Sequence, residues 1–363
     1  MRIQRTSVGL DVHARSVVVA ALDGVTGEIQ RARLTPQYRD LAGWLEQLPG
    51  PIVVTYEAGP TGFGLARFLA AAGVECRVAA PSKLQRPTGD RVKTDARDAL
   101  HLAKLLHLGE IVEVAVPSLS QEAARDLVRA REDARSDLMG ARHRLSKLLL
   151  RYGLVYYNGK AWTGIHDTWL RQQRRELTLP GTQFAFDAAY ESVVAIVDRR
   201  SRLDAAIEQM AAESEFTPVV NRLGCLRGVS TLTAFGLAVE IGDWHRLTGR
   251  SIGAYLGLVP TESSSGGSRS QGGITKTGNG HARRLLVEAA WHHRPRYNAT
   301  SLPLRRRWDR ADALARARGH AGNQRLHARW EAFDARSKKP TVANAAIARE
   351  LAGWCWSLAT IAE

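Results

Sequence analysis

Apolar residues follow two rhythms along this chain, and the change between them falls at Pro117. Before it they come in short blocks. "SVGLDVHARSVVVAAL" (7–22) reads as strand, turn, strand, and "EIQRARL" (28–34) alternates enough for a third strand. The intervening "DGVTGE" has hairpin chemistry. "YRDLAGWLEQL" then predicts an amphipathic helix, and "PIVVTYEAGP" a strand whose apolar run lacks alternation, as a central parallel strand does. "TGFGLARFLAAAG" predicts a helix closed by Gly73, and "VECRVAAP" a strand stopped by Pro81. A helix opening at Asp95 follows. Residues 1–116 therefore read as one α/β domain of order βββαβαβα.

Beyond Pro117 the spacing is helical. Residues 118–155 predict one long helix, with Leu127, Leu138, Leu145 and Leu149 on its apolar side. Gly159, Gly164 and Pro180 break the pattern over 156–184, among Tyr156, Tyr157, Trp162 and Trp169, and a second long helix is expected over about 185–215. Residues 117–217 thus form a helical hairpin or coiled-coil arm, or a bundle packed on the body. The remainder, 218–363, reads as a mainly α C-terminal domain. Its first two short helices, around Gly228, Val229 and Ser230, resemble a helix-hairpin-helix unit whose amides would hold a phosphate, although a plain αα-hairpin has the same pattern. Residues 251–291 predict a helix, a Ser/Gly-rich loop and a helix, and 294–339 a basic stretch that is solvated or faces nucleic acid.

Charge narrows the function. The 363 residues carry a formal net charge of +15, with a pI near 10.3, which points to polyanions and first to nucleic acid. A membrane role is not expected, since no apolar run approaches the roughly 18 residues of a span, nor is a signal peptide visible. Three cysteines, Cys76, Cys225 and Cys355, fit no metal-binding spacing and are expected to be reduced core thiols of a cytoplasmic protein.

Four carboxylates are the candidates for chemistry. Asp11 lies on the first strand and Glu57 at the end of the buried one. Asp95 and Asp98, three apart, share a helical face. Taken alone, Asp95 and Asp98 also suit a helix N-terminus electrostatically. Strand ends and helix starts of an open α/β sheet meet at one edge, and four carboxylates gathered there would repel unless cations held them. One or two Mg²⁺ ions suit such hard oxygen ligands, with Mn²⁺ as a substitute. His13 is either a further ligand or phosphate contact, or a turn residue on the same side. Lys93 is a candidate phosphate contact or an exposed loop lysine.

The order Asp, Glu, Asp, Asp resembles the RNase H-like fold of Holliday-junction resolvases. The spellings "GLDVH", "YEAGPTG", "RVKTDARDALHLAKLL" and "YLGLVP…SSGG…GGITKTGN…ARRLLVEAAW" resemble, over about 7–291, the DEDD insertion-sequence transposases and Piv-type DNA invertases. The resemblance implies an RNase H-like N-terminal domain whose metal-binding tetrad falls on Asp11, Glu57, Asp95 and Asp98. It also implies a serine nucleophile, at Ser264 or Ser265, that becomes covalently linked to DNA; Ser264 is favoured, with the extra Ser263 leaving the register open by one. Arg269, Lys276, Arg283 and Arg284 crowd this loop as candidate nucleic-acid contacts, with surface or salt-bridge roles as the alternative for Arg283 and Arg284. The implied partners are donor and target DNA, a noncoding bridge RNA, and further copies of the chain, as a dimer and then a tetramer. The implied activity is transposition through a phosphoserine intermediate; a resolvase-like metal-dependent nuclease and a site-specific invertase are the alternatives.

Overall fold

A computed structural model describes residues 5–84, 94–265 and 268–361, without the side chains of residues 264, 265, 268 and 269. The chain divides into two compact units, residues 1–118 and 119–363.

The first unit is a five-stranded sheet. β1 (Thr6–Val12), β2 (Val17–Asp23) and β3 (Ile29–Leu34) form an antiparallel meander. β4 (Ile52–Glu57) and β5 (Glu75–Ala79) add in parallel beside β1, giving the order β3-β2-β1-β4-β5. Alternation sorts the two faces. Val8, Leu10, Val17, Val19, Val54, Tyr56 and Val78 point to one side, where they meet α1 (Tyr38–Leu45) and α2 (Gly64–Ala71) through Leu41, Leu45, Leu65 and Leu69. The other face receives α3 (Asp95–Leu108), whose Ala99 packs on Val18 and Ala20. Gly9 makes this close approach feasible. A Cβ there would lie 2.1 Å from the Ala99 carbonyl oxygen and 2.5 Å from the Ala103 nitrogen. These elements and their order agree with the reading of the sequence: a mixed α/β sheet followed by a mostly helical remainder.

The second unit begins with α4 (Leu119–Arg151), continues through α5 (Gly164–Glu176), and returns along α6 (Pro180–Ala212). Tyr152 pairs with Thr182 and Arg131 with Asp204, so α4 and α6 run antiparallel. Each has 33 residues and extends about 50 Å. Far along them, Leu138, Leu145, Leu149, Phe186, Val193 and Ile196 make one core with Leu170 of α5. Their other ends join a larger core built on α7 (Thr217–Leu223), α8 (Thr231–Ile241), α9 (Ile252–Tyr255), α10 (Gly280–Ala290), α11 (Leu302–Trp308), α12 (Ala313–Asp334) and α13 (Pro340–Ala359).

Three expectations need correction. Residues 156–184 are not merely irregular: α5 lies within them, and Pro180, read as a breaker, occupies the first turn of α6, where a missing N–H costs nothing. The expected Ser/Gly loop is a β-hairpin, β6 (Pro260–Ser265) with β7 (Ser268–Ile274). The basic stretch 294–339, expected to be solvated or to face nucleic acid, is not exposed throughout; Leu304, Ala315, Leu326 and Trp330 are buried in it. The turn between α7 and α8 is a packed one. Gly228 (φ 80°) approaches Ala289, and the Arg227 amide donates to buried Asn323 at 2.8 Å.

Candidate active site

The acidic site of the first unit is assembled by the sheet register. Gly9 and Asp11 share a face with Ala20 and Val18, their partners on β2, because directly opposed residues point the same way. Leu10 pairs with Tyr56 on the opposite, core side, so Glu57, the next residue of β4, falls on the α3 face, as Asp11 does. α3 then brings its first residue to the same edge. His13, just past β1, joins the two elements. Its Nε2 lies 3.2 Å from Asp11 Oδ2 and 3.8 Å from Asp95 Oδ1. The tight turn that places it is closed by the His13 amide donating to the Ser16 carbonyl at 3.0 Å.

Asp11, His13 and Asp95 thereby offer three ligand atoms that lie within 4.8 Å of one another. Two carboxylate oxygens and one imidazole nitrogen fit a divalent cation, and the partial exposure of all three leaves room for further oxygen ligands. Of the expected tetrad, the structure brings Asp11 and Asp95 together. Glu57 and Asp98 do not join at that spacing. Glu57 is exposed at the end of β4, and Asp98 sits one turn along α3 with an interaction of its own. Lys93 lies outside the described residues. His13 was undervalued in the sequence. The signal was its i,i+2 spacing from Asp11, which returns a side chain to the same side of an extended chain.

The serine hairpin belongs to the second unit. Its strands pair Ser263 with Ser270, Ser264 with Arg269 and Ser265 with Ser268. The side chains of Ser264, Ser265 and Arg269 lie outside the description. The base of the hairpin is closely packed. Gly257 (φ 65°) and Gly278 (φ 68°) sit where a Cβ would meet backbone at 2.3 Å and 2.0 Å, and Lys276 itself is left-handed at φ 56°. Arg283 Nη1 donates to the carbonyls of Leu256 (3.0 Å) and Thr277 (2.8 Å), tying this base to α10. Arg284 is held by Glu132 and, at 2.7 Å, by Glu288. Both arginines thus have work inside the protein, whereas the Lys276 side chain is exposed.

Behind the hairpin lies a residue the sequence reading passed over. Glu240, with its side chain 1% exposed, accepts from Arg129 (3.1 and 3.0 Å) and from Asn279 Nδ2 (2.7 Å), and His281 Nδ1 lies 3.1 Å away. Burial alone would raise its pKa. Hydrogen bonds from His281, Arg129 and Asn279 and the Arg129 charge outweigh this and hold it near 2. Asn279 also caps α10, accepting from the Ala282 amide at 2.9 Å. Glu240 therefore anchors the chain as it leaves β7. The available signal was a lone carboxylate inside the apolar run "TLTAFGLAVEI". The cysteines are free, and burial pushes each thiol up to about 12, so none is poised as a nucleophile.

Comparison with known proteins bears on what these two sites do. Residues 8–154 match the family of DEDD transposases of the IS110 type, and residues 220–304 match the family described as "Transposase IS116/IS110/IS902 family". The protein named "Putative transposase y4qE" from Sinorhizobium fredii is 37% identical over 97% of this chain and 88% of its own length. The "Transposase for insertion sequence element IS1533" of Leptospira borgpetersenii is 30% identical over 93% of this chain and 99% of its own.

Proposed function

The chain belongs to the IS116/IS110/IS902 family of insertion-sequence transposases, and from that premise we propose that it cuts and rejoins DNA through a covalent phosphoserine intermediate. The observation that carries this reading is the meeting of Asp11 and Asp95 through His13 on one face of the α/β unit. Those residues would hold one or two divalent cations, Mg²⁺ being the expected one, and on this reading Glu57 and Asp98 complete the ligand set. A cation so placed supplies charge stabilisation to a phosphate and lowers the pKa of a hydroxyl. The RNase H-like description of this unit is consistent with its sheet order and with α3 across the face of β1.

The protein's own part is to place a nucleophile and keep it placed. Ser264, or Ser265 if the register shifts by one, attacks the phosphodiester. The Oγ–P bond forms, a bridging P–O bond breaks, the serine gives up its proton and the departing DNA oxygen gains one. The bond energy is conserved in the phosphoserine, so rejoining needs no nucleotide hydrolysis. A hairpin fixed at its base by Gly257, Gly278, Arg283 and the Glu240–Asn279 anchor supplies the preorganisation this attack requires. Arg269 and Lys276 are the phosphate contacts on the hairpin; Arg283 and Arg284 serve first to hold it. Donor and target DNA, a guide RNA that pairs with both, and a dimer that becomes a tetramer when two DNA sites are joined complete the reading. Exposed Leu150, Tyr157, Leu179 and Phe184, near the connection that runs from α4 through α5 to α6, favour the helical arm as the contact between copies.

The test is an adduct assay. Full-length protein, RNA and labelled DNA are incubated with Mg²⁺ and run on a denaturing gel. A protein–DNA adduct is expected, abolished by Ser264→Ala or by Ser265→Ala but not by both. Asp11→Asn and Asp95→Asn each lower strand cleavage by roughly 10²–10³-fold or more, the scale on which transition-state charge stabilisation is lost. Cleavage that survives in both serine variants, with no adduct, would assign the attack to water.

A further inference from the structure

The α3 face of the sheet extends past α3 on the side of β3, and what stands there is cationic. Ladder partners place Arg33 in one row with Val18 and Asp11, and Arg31 in one row with Ala20 and Gly9. Residues in a row share a face, so both arginines stand on the face that carries Asp11. Ala32 and Leu34, between and after them, point to the other side and pack on the core. Neighbouring strands are about 4.8 Å apart, which puts the Arg33 backbone about 10 Å from that of Asp11. α3 covers β1 and β2 but leaves an open groove of about 630 Å³ along β3, lined by Val18, Arg31, Arg33, Thr94 and Asp95. One end of this groove is therefore Asp95, a member of the acidic cluster.

Neither arginine has a carboxylate partner among the described residues. Arg33 Nη2 donates to Ser16 Oγ at 3.1 Å, which ties its guanidinium to the same turn that positions His13. The opposite flank of the sheet differs. Arg77 of β5 stands on the same face, paired through Thr55, but its guanidinium lies 2.6 Å from Glu75 and 3.6 Å from Glu113. One flank is neutralised within the protein and the other is left positive.

We propose that Arg31 and Arg33 form a track for a phosphodiester backbone, carrying a nucleic-acid strand over β3 to the acidic cluster. This rests on the reading of that cluster as the cleavage site, and it gives the site a direction: the strand lies on the β3 side and not over β5. Two guanidiniums two residues apart on an extended strand are about 6.6 Å apart at the backbone and can hold successive phosphates. The competing account is that the arginines only discourage edge-to-edge pairing of β3.

Salt dependence of binding separates these accounts. The full-length Arg31→Gln/Arg33→Gln variant and the wild type are titrated, without metal, against DNA and against RNA over 50 to 200 mM salt. Loss of two phosphate contacts lowers the slope of log K against log salt by about 1.8 for duplex DNA, or about 1.4 for a single strand. The wild type then loses about tenfold more affinity than the variant across that range. Arg31→Lys/Arg33→Lys, which keeps the charge, restores most of the slope. A reduced slope with DNA alone identifies the strand as DNA, with RNA alone as RNA, and with both as shared backbone chemistry. An unchanged slope with both, in a variant whose melting temperature matches the wild type, overturns the proposal. Asp11→Asn is the independent arm: should it leave cleavage intact, the reading of the cluster fails whatever the arginines do.

Discussion

Glu240 and His13 show what a single side chain can hide in a sequence. Glu240 sits in an otherwise apolar helix, and the cost of burying its charge is offset by three donors from α4 and α10. Because its folded pKa, near 2, lies below the ordinary value of 4.5, its contribution is present in full above about pH 4.5 and is lost as pH falls toward 2. The shift corresponds to about 3 kcal/mol. Glu240→Gln should therefore lower the melting temperature of the second unit by about 6–12 °C at pH 7. It should also flatten the acid side of its stability curve, since the variant has no carboxylate to protonate. Differential scanning calorimetry at pH 7 and pH 3.5 checks both; an equal loss at the two pH values would mean that packing, not charge, is at stake. The sequence shows such a residue only as an exception to a hydrophobic run. Its partners come from 111 and 39 residues away, and no local pattern encodes them. His13 is the reverse case. Its neighbour Asp11 was legible two residues away, but its closeness to Asp95 depends on where α3 lies.

At the scale of elements, Gly9 decides where α3 lies. A methyl group at this position would occupy the same space as the Ala99 carbonyl, so the helix has to move away from β1. Gly9→Ala should cost about 1–3 kcal/mol as an overpacked contact, and it should shift Asp95 relative to Asp11 and reduce strand cleavage. Gly43→Ala is the matched control. Nothing lies within 4 Å of its Cβ position, and it is inside α1, where alanine should stabilise by about 0.5–1 kcal/mol. Denaturant melts with cleavage rates for the two variants test the contrast; similar behaviour would show that α3 tolerates the added methyl. The strands and helices of the first unit were legible because period 2 and period 3.6 alternate there with clear turns. The β6–β7 hairpin was not, since Ser, Gly and Arg have little strand propensity and the pair is stabilised by its ladder. α5 was obscured by its flanking glycine and proline, although its Thr163 cap, accepting from the His166 amide, is an ordinary start signal.

For the whole molecule, the distribution of core residues bears on cooperativity. Val8, Leu10, Tyr56 and Leu69 belong to a core drawn wholly from residues before 118. Phe235, Leu286, Trp330 and Leu351 belong to one drawn wholly from residues after it, as do Leu138, Leu145 and Phe186 at the far part of α4 and α6. A chain of 363 residues built this way is expected to unfold in more than one step, since cooperativity follows a shared core. Calorimetry should resolve at least two transitions, and the two variants above assign them. Gly9→Ala should lower only the transition of the first unit, and Glu240→Gln only that of the second. The size of each shift is set by local loss, because the sites share no side-chain partner and their effects add. A divalent cation supplies a third handle. If Asp11, His13 and Asp95 bind it in the native state alone, adding it at a hundred times its dissociation constant stabilises by about 2.7 kcal/mol. That gain should appear in the first transition and be absent from the second, and Asp11→Asn should abolish it. A cation shift confined to the second transition would place the ion elsewhere in the chain and remove the physical basis for reading the Asp11 cluster as a catalytic centre.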